Sequence, residues 1–548
     1  MLNKPKIIII GGGIGGLSCA MSLIETGKFD VSIYESDIIG GQASSQKSKL
    51  CNTEISWRII GESYSNFLKI LTDLDILKNL YSFEKNDDCI GDNLTSPYGN
   101  TLTSVSSNII KNCNYTQINK LLNILFLSKN RALNDYHNIN TYNYYNSWYI
   151  NLIIGPYFGI EPTKATLSSF YKYLFSIFIV KKGNKSYFTK YPTNDAIFEP
   201  WKKYLIEKGV KIYEYTALKN IITNDEGNIS GLNINNKIYT SNEIVFACSL
   251  QSLNKLFINN EILKNKPIYN KLTRLMQGQQ FYISVNFYWK RPIIKDRKCH
   301  IYTFTDGWMP IIIKRFFNTD YIENNCDKNI KEVWNISVAD YLNGNYIKKY
   351  TSQSNFDELV YEIKMNILNS KHFKDYFDFE NYGWDYYFYD HEFDNRYYEK
   401  LPTTEKFSIN KNIEENLLNN NETELGNNIY FSAYYVKNTF GGATMETSCE
   451  IGLKTADLIC KKYKVETKRK PSYKTRPYIT IMTIPFVILD YILYKLNIGP
   501  ITNIINPFIL LIIYFILILI VITKFLNYKN FLSKTIKTFK KSKGVRFF

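Results

Sequence analysis

The sequence is poor in the residues that build metal centres. Its 548 residues include only four histidines, which are dispersed, and nine cysteines without a C-x-x-C pair. This spacing excludes the usual zinc and iron–sulfur motifs, so we expect no metal site. An odd number of unclustered cysteines favours a reducing compartment. The first strand begins almost at the N-terminus, so no secretory signal is expected.

Acidic residues are scarce at the C-terminal end only. The formal net charge is +17, of which residues 461–476 contribute +7, residues 524–548 contribute +8 and residues 477–523 contribute none. Residues 1–460 therefore carry only +2. Positive charge on both sides of an apolar stretch is typical of a membrane protein and differs from a nucleic-acid footprint. We expect membrane lipid, and no nucleic acid, among the partners; the oligomeric state stays open.

Long apolar runs are confined to residues 478–523. Pro507–Thr523 is nearly uninterrupted and has the minimum length of a transmembrane helix, whereas Tyr478–Tyr494 contains a proline and an aspartate. The flanking basic clusters place both outer ends in the cytosol if the segment is a hairpin. A single span preceded by an interfacial helix is the alternative. Either arrangement predicts a membrane protein whose catalytic domain faces the cytosol.

The N-terminal stretch combines a strand, a glycine-rich turn and a helix. Four isoleucines at 7–10 are typical of a buried parallel strand, G-x-G-x-x-G follows, and residues 17–25 read as a helix. Such a turn directs backbone amides and the helix dipole at a pyrophosphate. The candidate cofactor-binding residues here are Gly11, Gly13, Ile14, Gly15 and Gly16.

A carboxylate follows at the distance that a dinucleotide site requires. Residues 30–35 predict a second parallel strand, and Glu35 at its end lies 19 residues after Gly16. A carboxylate there accepts hydrogen bonds from the adenosine ribose. We therefore favour a dinucleotide site over a glycine-rich surface turn, although this motif alone fits either NAD or FAD.

A second glycine pair carries a family resemblance. Gly40 and Gly41 are followed by Gln42 and small polar residues. This pattern resembles the FAD-binding opening of the flavin-containing amine oxidase and phytoene desaturase superfamily, in which the pair approaches the FAD phosphates. The resemblance implies that FAD is the cofactor and that these three residues contact it. Gln42 replaces the usual arginine or lysine.

Residues 53–59 are similar to a segment of the hydroxysqualene dehydroxylase and carotenoid desaturase-like branch that runs beside the flavin. Glu54 and Arg58 match its Glu-His-x-x-Arg pattern, with Ile55 in place of histidine. A structural Glu–Arg pair is the alternative. Gln279 or Gln280, on a predicted strand, stands where amine oxidases usually place a lysine near flavin N5. The catalytic residues are unassigned, and the candidates are Glu54, Trp57, Arg58 and Gln280.

Two later segments resemble FAD-binding parts of the same family. A helix after Pro192, with Thr193 or Asn194 as its N-cap, and strands near 209–213 and 244–247 resemble a returning βαβ unit, so Leu218 is placed at the adenine side. The Met-Glu closing motif implies that backbone N–H groups of Thr444, Met445 and Glu446 face the flavin. Ala433 and Tyr434 replace the Gly-Asp expected before it.

The expected fold class is α/β: a Rossmann-like FAD-binding domain, an interleaved α+β substrate domain and C-terminal transmembrane helices. The FAD-binding domain is predicted from residues 1–80, 191–255 and 421–462, and the substrate domain from residues 81–190, with insertions, and 256–420. A basic linker (463–477), a membrane anchor (478–523) and a basic tail (524–548) complete the chain.

These patterns predict a membrane-anchored FAD-dependent oxidoreductase that dehydrogenates or desaturates a lipophilic, isoprenoid-like substrate by hydride transfer to flavin. One alternative is a flavin amine oxidase, against which the missing lysine counts. The other is a catalytically degenerate flavoprotein scaffold, which the residues at 42, 55 and 434 keep open.

Overall fold

A computed structural model describes residues 4–46, 50–54, 58–61, 64–83, 89–91, 186–289, 301–303, 307–308, 311–314, 319–340, 343–369, 386–388, 404–407, 416–439 and 443–472. The chain divides into two compact units. The first, Met1–Ile109 with Lys129–Tyr473, contains every described residue; the second is Ile110–Ser128 with Lys474–Phe548. Within the described ranges no helix has the length and apolar character needed to cross a bilayer. The predicted anchor at 478–523 lies outside them.

Strands and helices alternate irregularly along the chain. The strands are β1 (Lys6–Ile10), β2 (Asp30–Tyr34), β3 (Ser45–Gln46), β4 (Thr53–Glu54), β5 (Ile60–Gly61), β6 (Leu80–Phe83), β7 (Cys89–Gly91), β8 (Ser186–Thr189), β9 (Lys211–Tyr213), β10 (Leu218–Thr223), β11 (Ile229–Ile234), β12 (Lys237–Tyr239), β13 (Glu243–Phe246), β14 (Gln279–Trp289), β15 (Ile301–Thr303), β16 (Ile311–Lys314), β17 (Glu332–Ala339), β18 (Tyr386–Phe388), β19 (Thr404–Phe407) and β20 (Ile429–Phe431). The α-helices are α1 (Ile14–Ile24), α2 (Ser65–Asp73), α3 (Glu199–Glu207), α4 (Leu250–Ile258), α5 (Glu261–Lys264), α6 (Pro267–Gln277), α7 (Thr319–Asn325), α8 (Phe356–Asn369) and α9 (Met445–Lys462).

A five-stranded parallel sheet with the order β20-β13-β1-β2-β9 forms the centre of the dinucleotide-binding part. Ile8 of β1 lies opposite Ser32 on one side and Ile244 on the other. Residues 7–10 are buried because β1 is central and packed on both faces, as its run of isoleucines predicts. The predicted parallel strands at the N-terminus, near 212, near 244 and near 430 are confirmed.

Helices cover one face of this sheet and a smaller sheet lies against the other. Residues of α1, α2, α3 and α9 share one apolar core, which includes Leu17, Phe67, Trp201 and Ile459. The antiparallel strands β10-β11-β12 and helices α4 and α6 contribute to the second core. Helices α1 and α9 approach closely, since a Cβ on Gly452 would lie 2.4 Å from the backbone oxygen of Gly15.

A second sheet is mostly antiparallel and has the order β18-β14-β17-β16-β15-β7, with β19 also paired to β14. It contains the strand predicted at 279–287, which extends two residues further, to Trp289. Strands β14 and β17 carry buried polar cross-strand pairs: Ser284 lies 2.8 Å from Ser337 between hydroxyls, and Asn335 Nδ2 donates to Asn286 at 2.6 Å. Two small sheets, β3-β4 and β5-β8-β6, complete the described strands.

Two local expectations need correction. Thr193 is the N-cap of a π-helical turn, Asn194–Phe198, that leads into α3, but no side chain makes a capping hydrogen bond there. The side chain of Asn194 is engaged with the chain near Ser45, which explains why it does not cap. The expectation of reduced cysteines also fails for one pair, because Cys51 and Cys326 form a disulfide.

Candidate cofactor site

The first glycine turn lies at the carboxyl ends of β1, β13 and β20. Gly11 has φ +109°, and a Cβ there would lie 2.6 Å from the backbone of Ala247. A Cβ on Gly15 would lie 2.0 Å from the Ser432 carbonyl oxygen, and one on Gly16 would lie 2.1 Å from that of Gly11. Glycine is therefore required at these positions by close backbone contact as well as by conformation.

The same turn is open on one side. An added Cβ on Gly13 would meet only Gly41 and Gly40, at 3.9 and 4.0 Å. Gly13 is the N-cap of α1 and has no capping side chain. Among the described residues no group accepts a hydrogen bond from the amides of Ile14 or Gly15. Unpaired amides at a helix N-terminus beside open space fit a pyrophosphate group.

Glu35 lies at the ribose end of the turn. Its Oε2 accepts from the Gly12 amide at 2.6 Å, and its Oε1 accepts from the Ser36 hydroxyl at 3.1 Å and the Asp37 amide at 3.0 Å. The side chain is buried. A carboxylate has further acceptor capacity, so these contacts orient Glu35 and leave it able to accept from ribose hydroxyls.

The second glycine pair, Gly40 and Gly41, packs against the first glycine turn. The Gly40 amide donates to the Gly12 carbonyl at 3.0 Å, and Gly40 has φ +120°. A Cβ on Gly40 would lie 2.7 Å from the Phe198 ring, so this phenylalanine fixes the outer side of the loop. Gln42 lies in the short 3-10 helix Gly41–Ala43, and its carbonyl accepts from the Arg58 guanidinium.

Leu218 begins β10, and the chain just before it runs beside Glu35. The Thr216 amide donates to the Glu35 carbonyl at 2.7 Å, and the Tyr215 amide donates to the Asp37 carbonyl at 3.1 Å. Leu218 itself is partly buried against the second core. The structure therefore brings the predicted adenine-side segment to the same end of the sheet as the ribose-binding candidate.

The N-terminus of α9 supplies the predicted flavin-side residues. Thr444 is its N-cap, and the Thr444 hydroxyl accepts from the Thr447 amide at 3.1 Å. The Glu446 side chain is turned towards α2, where it accepts from the amides of Asn66 and Phe67 at 3.0 and 2.9 Å. Burial raises the pKa of Glu446 to about 7. Only the backbone of Glu446 is therefore left for a cofactor.

Glu54 and Arg58 are both buried, and they interact electrostatically. Glu54 Oε1 accepts from the Thr193 amide at 2.6 Å and from the Ser45 hydroxyl at 3.5 Å. Burial raises the pKa of Glu54 to about 7, although the Arg58 charge opposes the shift. Of the other catalytic candidates, Trp57 lies outside the described residues, and Gln280 lies opposite Lys406 between β14 and β19.

Several residues that shape this site carry no motif in the sequence. Ser432 donates its hydroxyl to the Gly15 carbonyl at 3.1 Å, and Asn194 donates its side-chain amide to the Ile39 carbonyl at 2.9 Å. Phe198 closes the Gly40 loop. Of these three residues, only Ser432 could have been identified from the sequence, because it directly follows a strand whose carboxyl end points at the glycine turn.

The comparisons with known proteins agree with this geometry. Residues 6–76 match the family model described as FAD dependent oxidoreductase, and this range includes β1, α1, β2, both glycine pairs and Glu35. The chain is an FAD-dependent oxidoreductase. Its cofactor is FAD, and the open glycine turn, Glu35 and the second glycine pair are the residues of this chain that fit it.

Solved structures share the fold of this oxidoreductase at low sequence identity. An oxidoreductase from Methanosarcina mazei is 11% identical with a TM-score of 0.57, covering 82% of this chain and 100% of its own. Cyclohexylamine oxidase from Brevibacterium oxydans is 12% identical with a TM-score of 0.55, covering 84% and 100%. A putrescine oxidase variant is 12% identical with a TM-score of 0.54, covering 84% and 99%. No curated protein matches the sequence.

Proposed function

We propose that this oxidoreductase is anchored in a membrane, faces the cytosol, and dehydrogenates or desaturates a lipophilic, isoprenoid-like substrate. Within the flavin amine oxidase and phytoene desaturase superfamily, the hydroxysqualene dehydroxylase and carotenoid desaturase-like branch is the proposed relative. Its resemblance to residues 53–59 supports this placement.

The observation that carries the proposal is the apolar segment 478–523 between two basic stretches. A substrate that partitions into lipid is best reached by an enzyme held at the bilayer, and juxtamembrane lysines favour an anionic cytosolic surface. The hairpin and the single-span arrangement both serve this purpose.

FAD, when bound, supplies the acceptor for the substrate's hydride. The chain's own residues would bind and orient it: the amides of the first glycine turn would hold the diphosphate, and Glu35 would accept hydrogen bonds from the ribose. The backbone at the start of α9 is proposed to face the flavin, where donors stabilise developing negative charge. Arg58 and Glu54 hold the loop that carries Gln42.

An amine substrate is the second candidate. It is supported by the fold shared with proteins named cyclohexylamine oxidase and putrescine oxidase. It is weakened because Gln279 or Gln280 stands where amine oxidases usually have a lysine.

Anaerobic reduction of the bound flavin separates these candidates. Detergent-solubilised protein, loaded with FAD, is mixed with extracted isoprenoid lipids, with cyclohexylamine or with putrescine, and the flavin absorption band is followed. We expect bleaching by the lipid fraction only. Bleaching by the amines alone would select the amine oxidase, and bleaching by none of them would contradict both proposals.

A further inference from the structure

Two side chains, those of Asn194 and Arg58, hold the loop that carries the second glycine pair. Asn194 donates to the Ile39 carbonyl and accepts from the Ser45 amide at 2.5 Å, so it grips the loop at both ends. Arg58 donates to the Gln42 carbonyl in its middle. Gly41 of this loop lies next to the open side of Gly13, where the diphosphate of FAD fits.

Glu54 accepts from the Ser45 hydroxyl at the end of this loop, and its side chain has no exposed surface. Glu54 lies opposite Ser45 in the β3-β4 pair, and the Glu54 backbone carbonyl accepts from Asn335 Nδ2 at 3.1 Å. Within the described residues its Oε2 has no hydrogen-bond partner. A buried carboxylate with one unpaired oxygen is costly to ionise, so the pKa of Glu54 lies above its ordinary value.

We propose that Glu54 is a positioning residue through which pH controls FAD affinity, because its charge offsets that of Arg58 beside the diphosphate-binding loop. When Glu54 is neutral, it no longer offsets the positive charge of Arg58, and this charge favours the anionic diphosphate. When Glu54 ionises, it adds a negative charge to the same region, and the affinity falls.

The charged and titratable neighbours allow this linkage. Arg58 follows β4, Asp195 lies in the π-helical turn, and Tyr321 of α7 donates to Asp195 Oδ2 at 3.3 Å. Burial raises the pKa of Asp195 as well, and the Tyr321 hydroxyl opposes that shift by donating to its carboxylate. With the pKa of Glu54 raised to about 7, its ionisation falls in the neutral range.

The test is the pH dependence of FAD release from the holoprotein, which needs no substrate. Holoprotein is equilibrated between about pH 5.5 and pH 8.5, and free FAD is measured by fluorescence after ultrafiltration. We expect the dissociation constant to rise about tenfold across this range, the effect of one added unit charge near an anion. E54Q should bind FAD with a flat profile, and E54D should restore the pH dependence.

Two matched variants identify the titrating group. Glu446 is also buried with its pKa raised to about 7, so E446Q tests the competing assignment and should keep the wild-type profile. Glu243 is buried but paired with Lys462 and Tyr463, and E243Q should keep it too. A flat wild-type profile, an E54Q profile that still titrates, or a flat E446Q profile would each overturn the proposal. If E54Q fails to fold, a flat wild-type profile or a flat E446Q profile still overturns the proposal.

Discussion

The Glu35 side chain contacts both the first glycine turn and the chain after β2. Removing its carboxylate in E35A leaves the Gly12 amide without its acceptor and removes the candidate partner of the ribose. Hydrogen bonds to charged groups contribute about 1.5–3 kcal/mol, so we expect FAD to bind roughly 10- to 100-fold more weakly.

The matched control for E35A is D37N. The Asp37 side chain is exposed, and only its backbone amide contacts Glu35. D37N should therefore bind FAD as the wild type does. Equal FAD affinity of E35A and wild-type protein, measured by fluorescence titration, would exclude this role of Glu35.

Residue roles were predictable where chemistry follows local spacing and not where it depends on distant contacts. The glycines of the turn and Glu35 lie within 25 residues and have a recognisable order. The contact from Thr193 to Glu54 joins residues 139 apart, and the contact between Asn194 and Ser45 joins residues 149 apart. No spacing rule links such positions, so the network around Glu54 required the fold.

At the level of elements, periodicity predicted the buried parallel strands, while the connections between helices depended on tertiary contacts. The Glu446 carboxylate holds the start of α2 by accepting from three donors of Asn66 and Phe67. The sequence assigned the backbone N–H group of Glu446 to the flavin by its position in a motif. The Glu446 side chain joins α9 to α2, because acidic groups are stabilised at a helix N-terminus.

This connection makes a prediction about pH and stability. Burial raises the pKa of Glu446 from 4.5 to about 7, so the folded state favours the protonated form. Its stabilisation is complete below pH 4.5 and is lost as pH rises through 7. E446Q should therefore lose less stability than the wild type between about pH 5 and pH 8, by on the order of 2 kcal/mol.

Urea unfolding at several pH values measures this difference. The exposed Glu207 of α3 supplies the control, since E207Q should follow the wild-type dependence. If E446Q and wild-type protein lose the same free energy of unfolding over this range, the carboxyl of Glu446 is not the group that titrates.

On the scale of the whole molecule, the described chain ends in a segment that runs back over the FAD-binding part. This strap, residues 465–472, follows α9. Thr467 and Ser22 hydroxyls lie 2.9 Å apart, and the Ser472 amide donates to Asn66 Oδ1 at 2.7 Å. Its composition predicted only a basic linker, because nothing in a lysine-rich run distinguishes the one arginine that is paired.

Arg469 is that arginine. Its guanidinium donates to both Glu25 oxygens, at 2.7 and 2.9 Å, and to Asp73 Oδ2 at 2.6 Å, so it joins the strap to the end of α1 and to α2. Its side chain is only 12% exposed. Removing one partner of a largely buried ion pair leaves the acidic groups uncompensated, so R469A should lower the free energy of unfolding by about 2 kcal/mol.

R469A should also expose the strap to trypsin, because Lys468 would no longer lie on a fixed segment; the bond after Lys470 precedes Pro471 and is not a trypsin site. Under native conditions, cleavage after Lys468, detected by mass spectrometry, should be faster than in the wild type. The K470A variant, which removes an exposed neighbour, should keep wild-type stability.

The double variant E25A/R469A should be no less stable than the sum of the single changes predicts, since the two groups act as one pair. Unchanged unfolding and cleavage in R469A would mean that the apolar and hydroxyl contacts of the strap suffice to hold it.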